Sequence, residues 1–402
     1  MDIAIIGAGA AGCFAAANIP FKKGVKVTIY EKTGKALQKV KASGGGRCNV
    51  THECFDIPEL VECYPRGRQL LRKSLHRFGP ADTKQWFESR GVALKAEDDG
   101  RVFPVTNSSQ TIIDCIWQQM MKEGVEVLYN KAIKSINKED EKFILHFGDN
   151  DTQQADSVLV AAGGFPKAEQ YKWIEATGHT VQPPVPSLFT FNIPGNAITT
   201  LMGVSVPEAV IKIAGSKIVQ QGPLLITHWG MSGPAVLKTS AVGARALADK
   251  GYVFNAIINW LPGTTDNDIK EILQQLRREQ GRQLVHHKNP FGLPKRLWEF
   301  MLLQCGISEE VRWGELPAPQ QNKLVERLLR DIYPVKGKTT FKEEFVTCGG
   351  VTLSEIDPHT LQSRVVPGLY FAGEIVDVDG ITGGYNFQHA WSSAWIAAQS
   401  LQ

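Results

Sequence analysis

The sequence predicts an α/β fold: a nucleotide-binding, Rossmann-like domain split by a β-rich insert and a helical subdomain. Three observations predict it. The 402-residue chain opens on an apolar strand that runs into Gly7-Ala8-Gly9-Ala10-Ala11-Gly12. The same grammar, an apolar strand ending in a small-residue turn, recurs at residues 156–164 and again at residues 368–374. Because the last repeat is C-terminal, the nucleotide domain is expected to be discontinuous. Residues 1–185 and 347–402 would form it, residues 186–262 and 334–346 the β-rich insert, and residues 263–333 the helical subdomain.

The opening stretch carries the most information. Asp2-Ile3-Ala4-Ile5-Ile6 is apolar and partly β-branched, as a buried strand requires. Gly7 permits a tight turn, Gly9 lets the backbone approach a pyrophosphate, and Gly12 lets the helix that begins near Ala10 and Ala11 pack on the strand. The free N–H groups at that helix start suit phosphate. Residues 25–30 make a second strand, and Glu31, followed by Lys32, stands at its end to accept hydrogen bonds from ribose hydroxyls. An acid there disfavours a 2′-phosphate, so a nucleotide of the NAD or FAD type is expected. The stretch is not read as an export signal: Asp2 is acidic, no basic leader precedes the apolar run, and the glycines keep dinucleotide register.

Composition narrows the class. A net charge of +3 makes no general case for nucleic acid. No apolar run approaches the ~20 residues that span a bilayer, so no membrane association is expected. The seven cysteines are scattered, odd in number and without a C-x-x-C pair, which reads as reduced thiols in a cytoplasmic protein. Cys48, His52 and Cys54 lie close together but lack a fourth ligand, so no metal site is expected.

Ser43-Gly44-Gly45-Gly46-Arg47-Cys48-Asn49 sets three glycines before Arg, Cys and Asn. Regular structure would hold such a run only at a large entropic cost, whereas a cofactor loop can wrap its N–H groups round an anion or lie against a ring system. Residues 64–78 carry Arg66, Arg68, Arg72, Lys73, His76 and Arg77 and no acid. As a helix this segment turns Leu70, Leu71, Leu75 and Phe78 inward and leaves a basic face, either solvated or in contact with phosphate or RNA. Residues 101–105 read as a strand, 109–122 as an amphipathic helix, 124–129 as a strand and 131–147 as a charged hairpin. In the turn after residues 156–161, Ala162 and Gly163 would lie near the dinucleotide.

From Pro183 onward, prolines punctuate short β-type runs at 188–193, 204–206, 210–213 and 252–260. Residues 224–234 read as a glycine-broken loop opening a helix of small residues, with Thr227, His228 and Ser232 either substrate-facing or part of a turn. Residues 266–281 and 319–333 are the clearest helices of the next stretch. Arg277, Arg278, Arg282, Lys288, Lys295 and Arg296, with His286 and His287, form a second basic segment. The C-terminal stretch holds a strand into Ala372-Gly373-Glu374, an acid-rich loop with Asp377, then Gly383-Gly384-Tyr385-Asn386 opening a final helix.

The ordered set of Gly7 to Glu31, Ser43 to Asn49, Thr227-His-Trp-Gly-Met-Ser-Gly-Pro234, Tyr370-Phe-Ala-Gly-Glu374 and Gly383-Gly-Tyr-Asn386 resembles the BaiN/YhiN-like family of bacterial FAD-dependent oxidoreductases. The resemblance covers essentially the whole chain. It implies an FAD-binding domain of the two-dinucleotide-fold type, with Glu31 on the adenosine ribose. Arg47, Cys48, Asn49, Gly373, Glu374, Asp377, Gly384, Tyr385 and Asn386 would line the flavin. The closing run from Asn386 to Trp395 is similar to the YhiN branch, linked to reduction of a uridine in 23S ribosomal RNA to dihydrouridine. Two positions depart from the family: Cys348 stands where a small residue is usual, and His389 where tryptophan is.

A reduced flavin delivers hydride, and reduction of a pyrimidine double bond also needs a proton donor. Cys48, Cys348, Tyr385 and His389 are the candidates by residue type. With no second Gly-x-Gly-x-x-Gly inside the chain, NAD(P)H is expected to bind transiently rather than in a domain of its own. Three functions follow: reduction of 23S rRNA docked on the two basic segments; small-molecule oxidation or reduction, as by an amine oxidase or an enone or steroid reductase; or a non-catalytic FAD-containing protein that binds RNA or senses redox state.

Overall fold

The computed structural model describes residues 1–148, 150–340 and 346–401 and divides into two units. One comprises Met1–Ser187 with the described part of Phe341–Gln402; the other is Leu188–Thr340. Within the segment 334–346, residues 341–345 lie outside the described residues.

Unit 1 is built on five parallel strands in the order Leu369–Phe371, Ser157–Val160, Asp2–Ile6, Lys26–Tyr30 and Glu126–Leu128. The register sets Ile5 beside Leu159 on one side and Ile29 on the other. All three side chains are fully buried, as continuous apolar strands in a parallel sheet covered on both faces should be. The helices Ala10–Ala16 and Tyr385–Ser400 pack together beside this sheet, with Phe14 and Trp391 at 5.0 Å between ring centroids. The three repeats of the strand-then-turn pattern therefore form adjacent strands, although they are distant in sequence. The charged hairpin is part of a three-stranded antiparallel sheet, Ser135–Glu139, Lys142–Gly148 and Asp151–Ala155. Phe143, Leu145 and Phe147 alternate inward along its middle strand. A two-stranded antiparallel pair, Val181–Pro186 with Thr347–Val351, sets Cys348 opposite Val185.

Unit 2 is a seven-stranded antiparallel sheet in the order Asp331–Lys336, Val253–Asn259, Ser205–Ile213, Val219–Thr227, Gly230–Ser232, Thr190–Asn192 and Lys338–Thr339. Its β-rich and helical stretches share one core: Ile211, Ile226 and Ile258 from the sheet join Leu273, Trp298, Met301 and Leu328 from the helices. Asp266–Glu279 is helical because Ile269, Leu273 and Leu276 fall on one stripe. Each contributes about 1.5–3 kcal/mol on burial. Thr265 Oγ1 accepts from the Asp268 N–H (3.3 Å), and Asp268 returns a bond to the Thr265 N–H (2.7 Å), which caps the helix.

Two local expectations give way. Residues 224–227 belong to the long strand Val219–Thr227 rather than to a loop. The helix expected at 319–333 spans Ala318–Arg330, and Asp331–Lys336 is a strand with Asp331, Tyr333 and Val335 inward. Pairing with Val253–Asn259 satisfies that backbone, and Pro334 cannot continue a helix. Trp260 Nε1 also donates to the buried Asp331 carboxylate at 3.2 Å.

Candidate active site

The Gly7-x-Gly9-x-x-Gly12 turn separates its glycines by role. Gly7 has a φ of +106°, and a Cβ there would lie 2.6 Å from the Ala161 carbonyl oxygen. A Cβ on Gly12 would sit 2.0 Å from the Gly7 carbonyl oxygen. The fold itself needs both glycines: the turns at residues 7 and 161 press together, and the helix presses on its own turn. Gly9 is different. Its backbone is extended (φ −86°, ψ −169°), which any residue adopts, and a Cβ would meet nothing within 4 Å. Packing leaves open space against that backbone, and the pyrophosphate of a dinucleotide fits it. Gly163, Gly45 and Gly46 likewise have nothing within 4 Å of a Cβ. The residues present fit FAD.

Glu31 is buried, and its carboxylate shapes the turn. Oε2 accepts from the Ala8 N–H (2.9 Å), while Oε1 accepts from Thr33 N–H and Oγ1 (both 2.8 Å). Lys32 is exposed and lies 5.0 Å over the Phe165 ring.

Residues 43–49 come from the end of the helical segment Gln38–Gly46, which breaks at Ser43, Gly44 and Gly45. Gly44, Gly45 and Gly46 all take positive φ, so the expected loop begins inside a helix. Arg47 is braced 4.0 Å over the Phe103 ring and pairs with Glu97 at 2.6 Å. Asn49 ties this loop to the C-terminal turn: its NH2 donates to the Thr51 and Val102 carbonyls (2.9 and 3.2 Å), and its oxygen accepts from the Gly384 N–H (2.9 Å). Gly384 thus spends its N–H on Asn49, and Asn386 clamps Gly380 through both its N–H (2.8 Å) and its carbonyl (3.0 Å). Tyr385 stacks on His52 (4.9 Å, 19°), and its carbonyl accepts from Tyr64 Oη at 2.7 Å.

Gly373 approaches the first helix so closely that a Cβ would lie 2.7 Å from Ala11 Cβ. Its N–H donates to Ser393 Oγ (2.9 Å), and its carbonyl accepts from His389 Nε2 (3.1 Å). Glu374 joins Lys39 (2.6 Å) to the Thr347 N–H (2.8 Å), beside Cys348. Asp377 is buried, and its N–H donates to the Val351 carbonyl (3.1 Å).

The four proton-donor candidates differ in electrostatics. Cys48 is fully buried, and burial pushes its thiol up to about 12, against a hydrogen bond from Ser43. Burial, then contact with Cys63, raises the Tyr385 phenol far above its ordinary value. Burial lowers His389 from 6.5 to about 4, although the Gly373 carbonyl opposes the shift. A carbonyl can only accept, so His389 Nε2 carries the hydrogen; Nδ1 is a buried lone pair with no hydrogen-bond partner. Cys348 is fully buried on its strand.

Sequence reading missed the role of Arg66. It does not belong to an exposed basic face: its guanidinium grips the fully buried Asp379 through two hydrogen bonds, and Ser187 Oγ donates to the same carboxylate. The partners are 313 residues apart, so no local pattern signals the pairing. Of the first basic segment, Arg72, Lys73, His76 and Arg77 are exposed on the helix Arg68–Arg77. In the second, Arg277 donates to the Leu316 carbonyl and Arg296 to the Thr200 carbonyl, whereas Arg278, Arg282 and His287 are exposed. Among the described residues, no helix is long and apolar enough to cross a membrane, and no group of three or more His, Cys, Asp or Glu could hold a metal ion.

Comparison with known proteins matches residues 1–400 to the model of the HI0933-like protein Rossmann domain. A ribosomal RNA dihydrouridine synthase of Escherichia coli is 32% identical over 409 residues, covering 100% of this chain and 98% of that protein. A 3-dehydro-bile acid delta(4,6)-reductase of Clostridium scindens is 27% identical, covering 99% and 98%. Among solved structures, a 3-ketosteroid-delta4-(5alpha)-dehydrogenase of Rhodococcus jostii shares the fold, with a TM-score of 0.51 at 12% identity and coverage of 99% and 96%.

Proposed function

We propose, from the premise that this chain belongs to the HI0933-like family of FAD-dependent oxidoreductases, that it reduces a uridine of 23S ribosomal RNA to dihydrouridine in the cytoplasm, with NAD(P)H as transient reductant. The observation that carries the reading is the end-to-end, 32% identity with a relative named for that reaction on ribosomal RNA. Exposed Arg72, Lys73, Arg77, Arg278 and Arg282 give an RNA backbone cations to meet.

FAD, when bound, supplies hydride to the substrate double bond. The turn of residues 7–12, Glu31 and the 162–163 turn would hold its dinucleotide part. Arg47, Asn49, Gly373, Glu374, Asp377, Gly384 and Asn386 shape the flavin end, largely by fixing one another's loops. Saturating a carbon–carbon bond also needs a proton. Burial keeps Cys48 and Tyr385 protonated at neutral pH, so each holds one. His389 is neutral with its only hydrogen on the Gly373 carbonyl, which makes it a brace for that turn rather than a proton source.

The deciding experiment is nucleoside mass spectrometry of 23S rRNA from a deletion strain, its parent and the complemented strain. Loss and return of dihydrouridine is the expected result; an unchanged profile rejects the reading. The second reading, a small-molecule enone reductase, is favoured by the bile-acid reductase relative. It would show as flavin reoxidation by steroid enones in place of RNA.

A further inference from the structure

Unit 2 carries a pocket that the flavin chemistry leaves unused. It measures about 280 Å3, and Asn192, Thr199, His228 and Lys336 supply its polar side chains. None of the residues lining it is acidic.

Three chain segments bring these groups together. Strands Val219–Thr227 and Gly230–Ser232 pair with Thr227 opposite Gly230, so His228 stands at the tip of a two-residue hairpin. Gly230 also pairs with Asn192, which sets that strand end beside the hairpin. Lys336 ends the strand at one edge of the seven-stranded sheet, and Lys338 begins the strand at the other. Gly337, at a φ of +96°, turns the chain between them, and its carbonyl accepts from the Asn192 N–H at 3.2 Å. Crossing from edge to edge in this way places Lys336 next to Asn192.

The side chains are set as donors. Asn192 Oδ1 accepts from Thr339 Oγ1 (3.0 Å), which orients the amide and leaves its NH2 group as the donor. The His228 ring rests edge-to-face on Trp229 at 4.3 Å and 81°. Trp229 is itself pinned: its indole N–H donates to Thr190 Oγ1 (3.0 Å), and its carbonyl accepts from the Ile193 N–H (2.8 Å). The indole is thus a brace for the imidazole. Lys336 is exposed, and among the described residues no carboxylate pairs with it. Arg296 adds a second cation, donating to the carbonyls of Thr200 (2.7 Å) and Met202 (3.3 Å) around the 3-10 turn Ala197–Leu201 that supplies Thr199. Cations and N–H donors converging with no carboxylate among them suit an oxyanion. Pockets for whole small-molecule ligands run to roughly 300–1,000 Å3. At about 280 Å3 this one admits a phosphate and part of its ester rather than a whole dinucleotide.

We infer that the pocket binds a phosphate group, with Lys336, His228 and Asn192 donating to its oxygens. The RNA backbone and the nicotinamide dinucleotides both present that group. The inference rests on the proposed function for these two sources, and the test tells them apart.

The test uses purified holoenzyme. Binding of unmodified 23S rRNA from the deletion strain is measured by filter retention across a salt series, and flavin reduction by NADH and NADPH is followed by absorbance without oxygen. Lys336→Gln is expected to weaken the phosphate-bearing ligand roughly tenfold, and Lys336→Arg to restore most of the loss. His228→Phe, which keeps a ring on Trp229 but removes the donor, should act in the same assay. If the RNA backbone is the source, Lys336→Gln lowers the log–log salt slope of RNA binding by about 0.7 and leaves flavin reduction unchanged. If a dinucleotide is the source, the concentration giving half-maximal flavin reduction rises and RNA binding is unchanged. Either result supports the site. Lys336→Gln and His228→Phe proteins that match the wild type in both assays overturn it. So does an equal loss in Lys217→Gln, which removes an exposed lysine of the same unit outside the pocket. A wild-type enzyme that neither binds RNA nor accepts electrons from either dinucleotide overturns it as well. One that binds RNA but forms no dihydrouridine overturns the rRNA reading and leaves the phosphate site to be decided by the variants.

Discussion

The turn at residues 7–12 and the hairpin with its exit at residues 227–233 are both glycine-bearing turns that close a strand, yet their glycines serve different ends. In the hairpin, Gly230 and Gly233 are consumed by packing: a Cβ on either would come within 3 Å of a neighbouring carbonyl, 2.1 Å at Phe191 and 2.9 Å at Pro223. In the first turn, packing consumes Gly7 and Gly12 but leaves Gly9 facing open space. Gly9 is thus the one glycine of the first turn that packing does not account for, whereas packing alone accounts for Gly230 and Gly233. In unit 2 the unexplained residues are instead the aromatic pair at the tip, His228 and Trp229.

The sharpest test of this contrast is substitution at the packed glycines. Gly12→Ala and Gly230→Ala should each cost about 3 kcal/mol or more, because the added methyl meets backbone rather than a movable side chain. Denaturant unfolding measures the loss; a Gly12→Ala protein as stable as wild type would break the distinction.

The two units should also part on acidification. Unit 1 buries His179 and His389, and burial lowers both, His389 to about 4. The histidines of unit 2 are not buried. The unfolded His389 imidazole takes up a proton below about 6.5, while the folded one resists until about 4. Stability is therefore lost as pH falls through that window, by roughly 3 kcal/mol from His389 alone. The pH dependence of the unfolding midpoint, compared with His389→Gln, isolates the effect; parallel curves would refute it.

If the chemistry belongs to unit 1, removing the proton donor should lower kcat about 100-fold or more with flavin still bound. Cys48→Ala, Cys348→Ala and Tyr385→Phe identify it by turnover and absorbance. Three near-normal enzymes would move the donor elsewhere.

The smallest effect is the most discriminating. Gly9→Ala should leave apoprotein stability within about 0.5 kcal/mol yet weaken FAD binding tenfold or more, read by reconstitution titration. Unchanged affinity would remove the reason for calling Gly9 a ligand-facing glycine.

Much of this was legible locally. The strand, turn and acid of residues 2–31 announce themselves through period, glycine spacing and one carboxylate, all within a single supersecondary unit. The helix Ser109–Lys122 is equally plain, because its apolar stripe lies within one segment. The errors came where distant partners overrule local preference. Residues 331–333 carry a helical pattern on from Ala318–Arg330, but a neighbouring strand claims their backbone. Arg66 sits in a run of bases and reads as surface until Asp379 arrives from the other end of the chain.

By itself the sequence determined the α/β class and the strand, glycine turn and helix that open the chain, because those depend on residues near one another or on a pattern repeated three times. Only the tertiary structure decided which glycines pack and which face open space, that Asn49 fastens the Gly384 turn, and which arginines stay in solvent. Each of those turns on what stands within a few ångströms of an atom, and contacts between chain segments hundreds of residues apart leave no periodicity to read.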